Sequence, residues 1–189
     1  TETFKARARE LAQTQGFVGF GETTALHFCL DEESHVYLAA PPDHYLFKAL
    51  VDVASEENVP LDFHMEAVFS DTTTPSSVLS LCPSKNPATI SANMSQFENL
   101  LTYANSKNPS VKIIWDHLGM DLTRQKTPTV VDDLLDRYSN LYMSVNNYSN
   151  GRMTTSSGAI LSGWLTVFEE HSDRFMMGAD QFFITPLTS

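Results

Sequence analysis

Positive charge is scarce in this chain. Twelve Lys and Arg stand against 23 Asp and Glu in 189 residues, a formal net charge of −11. Broad attraction to DNA or RNA depends on cations neutralising phosphates, so no nucleic-acid partner is expected. Cysteine is scarcer still. Cys29 and Cys82 form neither a CxxC pair nor a dense disulfide framework. Buried free thiols, and with them a reducing, cytoplasmic setting, are the expectation. No stretch is long and apolar enough to cross a bilayer, so no membrane partner is expected either. The chain has no initiator Met and no signal-peptide pattern. Residues 1–10 read as a helix already under way, which suggests an internal start.

What is present is ordinary for a globular domain: 42% hydrophobic and 19% charged residues. The length suits one domain over residues 1–189 with its own core. Short apolar runs alternate with helix-like segments. The expected strands are Phe17–Glu22, Leu61–His64, Lys112–Trp115, Leu141–Val145 and Arg174–Met177. Helices are expected over Phe4–Gln15, from Pro41-Pro42 to about Asn58, from the capping-box pattern Ser95-Gln-Phe-Glu98 to about Ser106, over Thr129–Tyr138 and over Ser157–His171. Thr23 to Glu33 reads as a loop. Between Ala67 and Pro87 lies a Ser/Thr/Pro-rich stretch too long for a simple connector. Strand–helix alternation of this kind points to a parallel sheet with right-handed crossovers. A full (β/α)8 barrel takes about 250 residues and rarely fewer than about 200, so a barrel here would be incomplete.

Four of the apolar runs lead into a residue able to bind a metal or move a proton: Glu22, His64, His117 and Asp180. Taken singly, each has a plainer reading. Asp180 and Glu22 could cap following turns, and either histidine could bond a backbone carbonyl. In series they suggest more, because parallel strands bring their carboxyl ends to one rim. Neutral imidazoles and carboxylates there suit a divalent metal, Zn²⁺ above all. His27, five residues past Glu22, and Arg152, after the Leu141–Val145 run, are candidate substrate contacts.

In order, GFVGFGE, NVPLDFHMEA, VKIIWDHLGMD, NLYMSV and DRFMMGAD resemble segments of the amidohydrolase superfamily. The resemblance is to its amidohydrolase-related branch of metal-dependent hydrolases and decarboxylases, and it spans Gly16 to Asp180. It implies an incomplete (β/α)8 TIM barrel comprising roughly strands four to eight. It also implies a divalent metal, most often zinc, held at the strand ends. His64 then matches the strand-five ligand. His117 matches the strand-six histidine, a ligand or a catalytic residue. Asp180 matches the strand-eight aspartate, ligand and proton acceptor, and Glu22 falls at strand four. The family's first strand carries a His-x-His pair, and no such pair occurs in this chain. The chain by itself is therefore expected to be inactive. The implied activity of the larger protein is metal-assisted hydrolysis of an amide, ester or lactone, with non-oxidative decarboxylation as the alternative. A non-catalytic α/β binding or assembly domain is the reading from another class. A small-molecule substrate is expected, and exposed sheet edges would favour a homo-oligomer.

Overall fold

The computed structural model describes residues 1–31, 35–118, 121–146 and 153–178. It opens with α1 (Glu2–Ala12), β1 (Phe20–His27), β2 (Leu38–Ala39) and α2 (Tyr45–Glu56). The next elements are β3 (Leu61–Met65), β4 (Thr72–Thr73), α3 (Ser76–Leu79), β5 (Thr89–Ile90) and α4 (Met94–Asn105). The rest are β6 (Ile113–Trp115), α5 (Pro128–Arg137), β7 (Leu141–Val145), α6 (Ser162–Glu170) and β8 (Phe175–Met177). Among these residues no helix is long and apolar enough to cross a membrane.

The main sheet runs in the order β2-β1-β3-β6-β7-β8. All its pairings are parallel except β2 against β1. Each parallel crossover carries chain over the outer face, where α2, α4 and α5 bury their apolar stripes. Phe63 of β3 and Trp115 of β6 point outward into this layer. Phe63 lies 5.7 Å from Phe97 of α4 and 5.2 Å from Phe47 of α2, and Phe97 lies 4.8 Å from Trp115. Strand side chains alternate, so the neighbours Asp62, His64 and Ile114 face the other way, to the inside.

Several expectations need correction. The first strand is not Phe17–Glu22. It starts at Phe20 and runs through the expected loop to His27. Its register against β3 shifts between Phe20 and Thr23 and again between Thr24 and Leu26. Glu22 therefore sits inside an irregular strand, and His27 ends it. The second helix begins at Tyr45 rather than at the prolines, because extended His44 caps it by accepting from the Leu46 N–H at 3.4 Å. The box at Ser95 does not form: Asn93 is the N-cap of α4, with no side-chain cap bond. Its amide instead bridges the Glu66 carbonyl (2.8 Å) and the Val68 N–H (2.9 Å). The last helix begins at Ser162, not Ser157.

The thiol expectation is overturned. Cys29 and Cys82 form a disulfide, both buried. Cys29 lies just past β1 and Cys82 just past α3, so the bond ties the segment after β1 to the segment after β3. Nothing in a 53-residue separation betrays that pairing; the fold brings the two ends together. Asn86 reinforces the junction. Its amide accepts from the Cys29 N–H at 2.7 Å and donates to the Cys29 and Val78 carbonyls.

Candidate functional site

Three side chains converge at the inner face: Glu22 from within β1, His64 near the carboxyl end of β3 and His117 just past β6. Glu22 Oε1 lies 3.0 Å from His64 Nδ1 and 3.3 Å from His117 Nε2. One ligand atom from each lies within 4.8 Å of the others. His64 comes from regular strand. The other two are turned toward it by unusual backbone: Glu22 has φ 35° and His117 φ 59°. Left-handed backbone at a non-glycine residue costs on the order of 1–3 kcal/mol and clusters at functional sites. At Glu22 the irregular pairing with β3 makes the turn, since bulges re-aim side chains.

The electrostatics suit a cation. His117 and then His64 hydrogen-bond the Glu22 carboxylate and hold it well below the usual carboxylate range. Burial pushes His64 down to about 4, against the pull of Glu22. His64 is thus neutral at pH 7, the form that ligates metal. Two imidazoles and one carboxylate form a donor set for a borderline divalent ion and leave a coordination position open. The three residues therefore fit the expected metal.

His27 stands beside the cluster, its ring 4.8 Å from that of His64 and 5.8 Å from that of His35. Burial lowers its pKa as well. It lies beside the cluster without belonging to the group of three. Asp180 and Arg152 lie outside the described residues, so the structure brings together Glu22, His64, His117 and His27 from the expected set.

Three groups beyond the expected set surround the site. Asn146 follows β7, and its Nδ2 lies 3.1 Å from His117 Nδ1. The scan for ionisable strand ends passed over it because an amide does not titrate. Beside His117 in sequence, Asp116 is buried. Burial, and then the neighbouring Asp62 carboxyl, push its pKa up to about 9, so Asp116 keeps a proton at neutral pH. Asp116 Oδ2 and Asp62 Oδ1 are buried with no hydrogen-bond partner among the described residues. The third group is Glu66, Asp121 and Lys126, all buried. Glu66 Oε2 accepts from the N–H groups of Leu122 (2.9 Å) and Thr123 (3.3 Å). Asp121 accepts from the Lys126 N–H (2.7 Å), and Lys126 Nζ donates to the Asp116 carbonyl (2.8 Å). Burial raises the Glu66 pKa, so Glu66 keeps a proton facing Asp121. This network pins the segment after His117 against the start of the Ser/Thr/Pro-rich stretch.

Comparison with known proteins gives a likeness of shape. No protein-family model matches the chain, and no curated protein matches it in sequence. Among solved structures it resembles 2,6-dihydroxybenzoate decarboxylase, with 15% identity and a TM-score of 0.51, over 95% of this chain and 56% of that one. It also aligns with 5-carboxyvanillate decarboxylase LigW from Sphingomonas paucimobilis, with 10% identity and a TM-score of 0.47, over 97% of this chain and 53% of that one. The chain thus spans about half the length of the structures it matches. The five parallel strands β1, β3, β6, β7 and β8 succeed one another around the sheet as consecutive strands of a barrel do. The chain carries, in part, the α/β barrel fold seen in 2,6-dihydroxybenzoate decarboxylase.

Proposed function

We propose that this chain forms part of a metal-dependent barrel enzyme that decarboxylates a small carboxylic acid without an oxidant. The observation that carries the reading is the convergence of Glu22, His64 and His117 on one point of the inner sheet face. The fold likeness to 2,6-dihydroxybenzoate decarboxylase supports decarboxylation ahead of hydrolysis and suggests a hydroxybenzoate-like substrate. Glu22, His64 and His117 would hold a divalent ion, with zinc the best match to mixed imidazole and carboxylate donors. Asp180 and Arg152 remain proposed as a further ligand and as an anion contact.

When bound, the ion supplies Lewis acidity toward the substrate's oxygens. This chain's own residues have separate tasks. His64, neutral and buried, holds its lone pair ready. His27 forms one side of the mouth and offers a half-buried ring against a flat substrate. His117 turns its Nε2 into the site, 3.3 Å from Glu22 Oε1. In decarboxylation the bond between the ring carbon and the carboxylate breaks, CO₂ leaves, and that carbon gains a proton. A rim histidine in its doubly protonated form would give that proton and be left as the neutral ring.

Metal content and product analysis test the reading. The purified chain should take up about one Zn²⁺ or Mn²⁺, and His64→Ala should lose most of that uptake. Uptake unchanged by His64→Ala would end the metal-centre reading and favour a binding or assembly domain. In a polypeptide that also carries the remaining barrel strands, 2,6-dihydroxybenzoate should release CO₂. Turnover of an ester or lactone without CO₂ would restore hydrolysis as the leading reading.

A further inference from the structure

We propose that Asn146 is a positioning residue that selects which nitrogen of His117 bears the proton, and thereby switches His117 between hydrogen-bond donor and metal ligand. The second half rests on the metal-centre reading above; the first half does not. Asn146 is 2% exposed and comes directly after the last residue of β7. Its Nδ2 lies 3.1 Å from His117 Nδ1. An amide nitrogen only donates, so Nδ1 must accept and carries no proton. In the neutral ring the proton is then on Nε2, which lies 3.3 Å from Glu22 Oε1, an acceptor held ionised by its histidines. In this arrangement His117 is a donor.

A ligand needs the opposite arrangement. Binding through Nε2 requires a lone pair there, which moves the proton to Nδ1 and calls for an acceptor opposite it. Half a turn of the Asn146 amide places Oδ1 at that point. The observed orientation is not locked, because Asn146 Oδ1 is buried with no partner among the described residues. Turning the amide exchanges one unpaired atom for another, so the two states stay close in energy and the group facing Nε2 decides between them. Asparagine can serve both tautomers from one position. Aspartate could only accept there, and leucine could do neither.

The test is spectroscopic and needs no turnover. Protein labelled with ¹⁵N-histidine is examined without metal at pH 8 by long-range ¹H–¹⁵N correlation, with His117 assigned through His117→Gln. The Nε2–H form is expected, moving to the Nδ1–H pattern when Zn²⁺ is added. Asn146→Asp should show Nδ1–H without metal and bind Zn²⁺ about tenfold more tightly, while Asn146→Leu should lose the preference and bind about tenfold more weakly. An Nδ1–H signal in the metal-free wild type overturns the proposal whether or not the variants fold. So does a tautomer that neither variant changes. If Asn146→Asp moves the proton but Zn²⁺ disturbs neither His117 nor His64, the positioning role stands and the metal-centre reading falls.

Discussion

Single buried groups carry much of the cost of this site. His64 is buried and neutral, and in the unfolded chain it would titrate near its ordinary value of about 6.5. Its folded pKa is depressed to about 4, so the folded state resists its protonation. The contribution is in full force above pH 6.5 and is lost as pH falls from 6.5 toward 4. On the order of 3 kcal/mol of stability should go over that window. Urea unfolding at a series of pH values measures it, and His64→Gln should flatten the slope. Glu66 gives a contrasting prediction. It already keeps a proton while accepting two backbone N–H bonds, so glutamine reproduces its donor and acceptor pattern. Glu66→Gln should change stability by less than about 1 kcal/mol. Glu66→Ala strands the buried N–H groups of Leu122 and Thr123 and should cost about 3 kcal/mol in the same assay. The residue types at the site were legible in sequence, because His64, His117 and Glu22 each lie in or just past an apolar run. Their partners were not: Asn146, Asp62 and Lys126 reach their contacts only across strands and loops.

At the scale of elements, the strands hold the site through close backbone approaches. β8 ends on β7, with the Gly178 N–H donating to the Val145 carbonyl at 2.8 Å. A Cβ on Gly178 would stand 2.3 Å from Ser144 Oγ. Gly178→Ala must therefore turn the buried Ser144 hydroxyl aside or push β8 outward, at a cost of about 1–2 kcal/mol in thermal or urea unfolding. Adding Ser144→Ala removes the obstructing oxygen, so the double variant should recover most of that loss. No recovery would place the cost elsewhere. Helix faces and the β3, β6, β7 and β8 cores were readable because burial imposes a period on the sequence. The ends were less so. Capping by His44 and Asn93 and the irregular course of β1 depend on contacts with neighbouring elements, which local patterns do not record.

For the whole molecule, the disulfide links the segment after β1 to the segment after β3, beside the site. In the chain-entropy picture, closing a loop of this length stabilises by about 4 kcal/mol, an upper figure for native geometry. Oxidised protein should show no reactive thiol under denaturing conditions without reductant. Cys29→Ser with Cys82→Ser should lower the unfolding midpoint clearly, and reduction should lower the wild type but not the variant. Equal midpoints for wild type and variant would mean that the bond adds nothing to the fold. The inner sheet face tells the same story at larger scale. Asp62 Oδ1 and Asp116 Oδ2 lie buried on it without a hydrogen-bond partner among the described residues.

The sequence by itself determined the alternation of strand and helix, the outward apolar faces and the ionisable residues near the strand ends. These follow from periodicity, a local property that burial writes directly into the chain. Only the tertiary structure decided that Glu22 turns inward through left-handed backbone to meet two histidines, that Asn146 stands behind one of them, and that Cys29 meets Cys82. Each is a meeting of residues distant in sequence, fixed by strand order and register rather than by any neighbour along the chain.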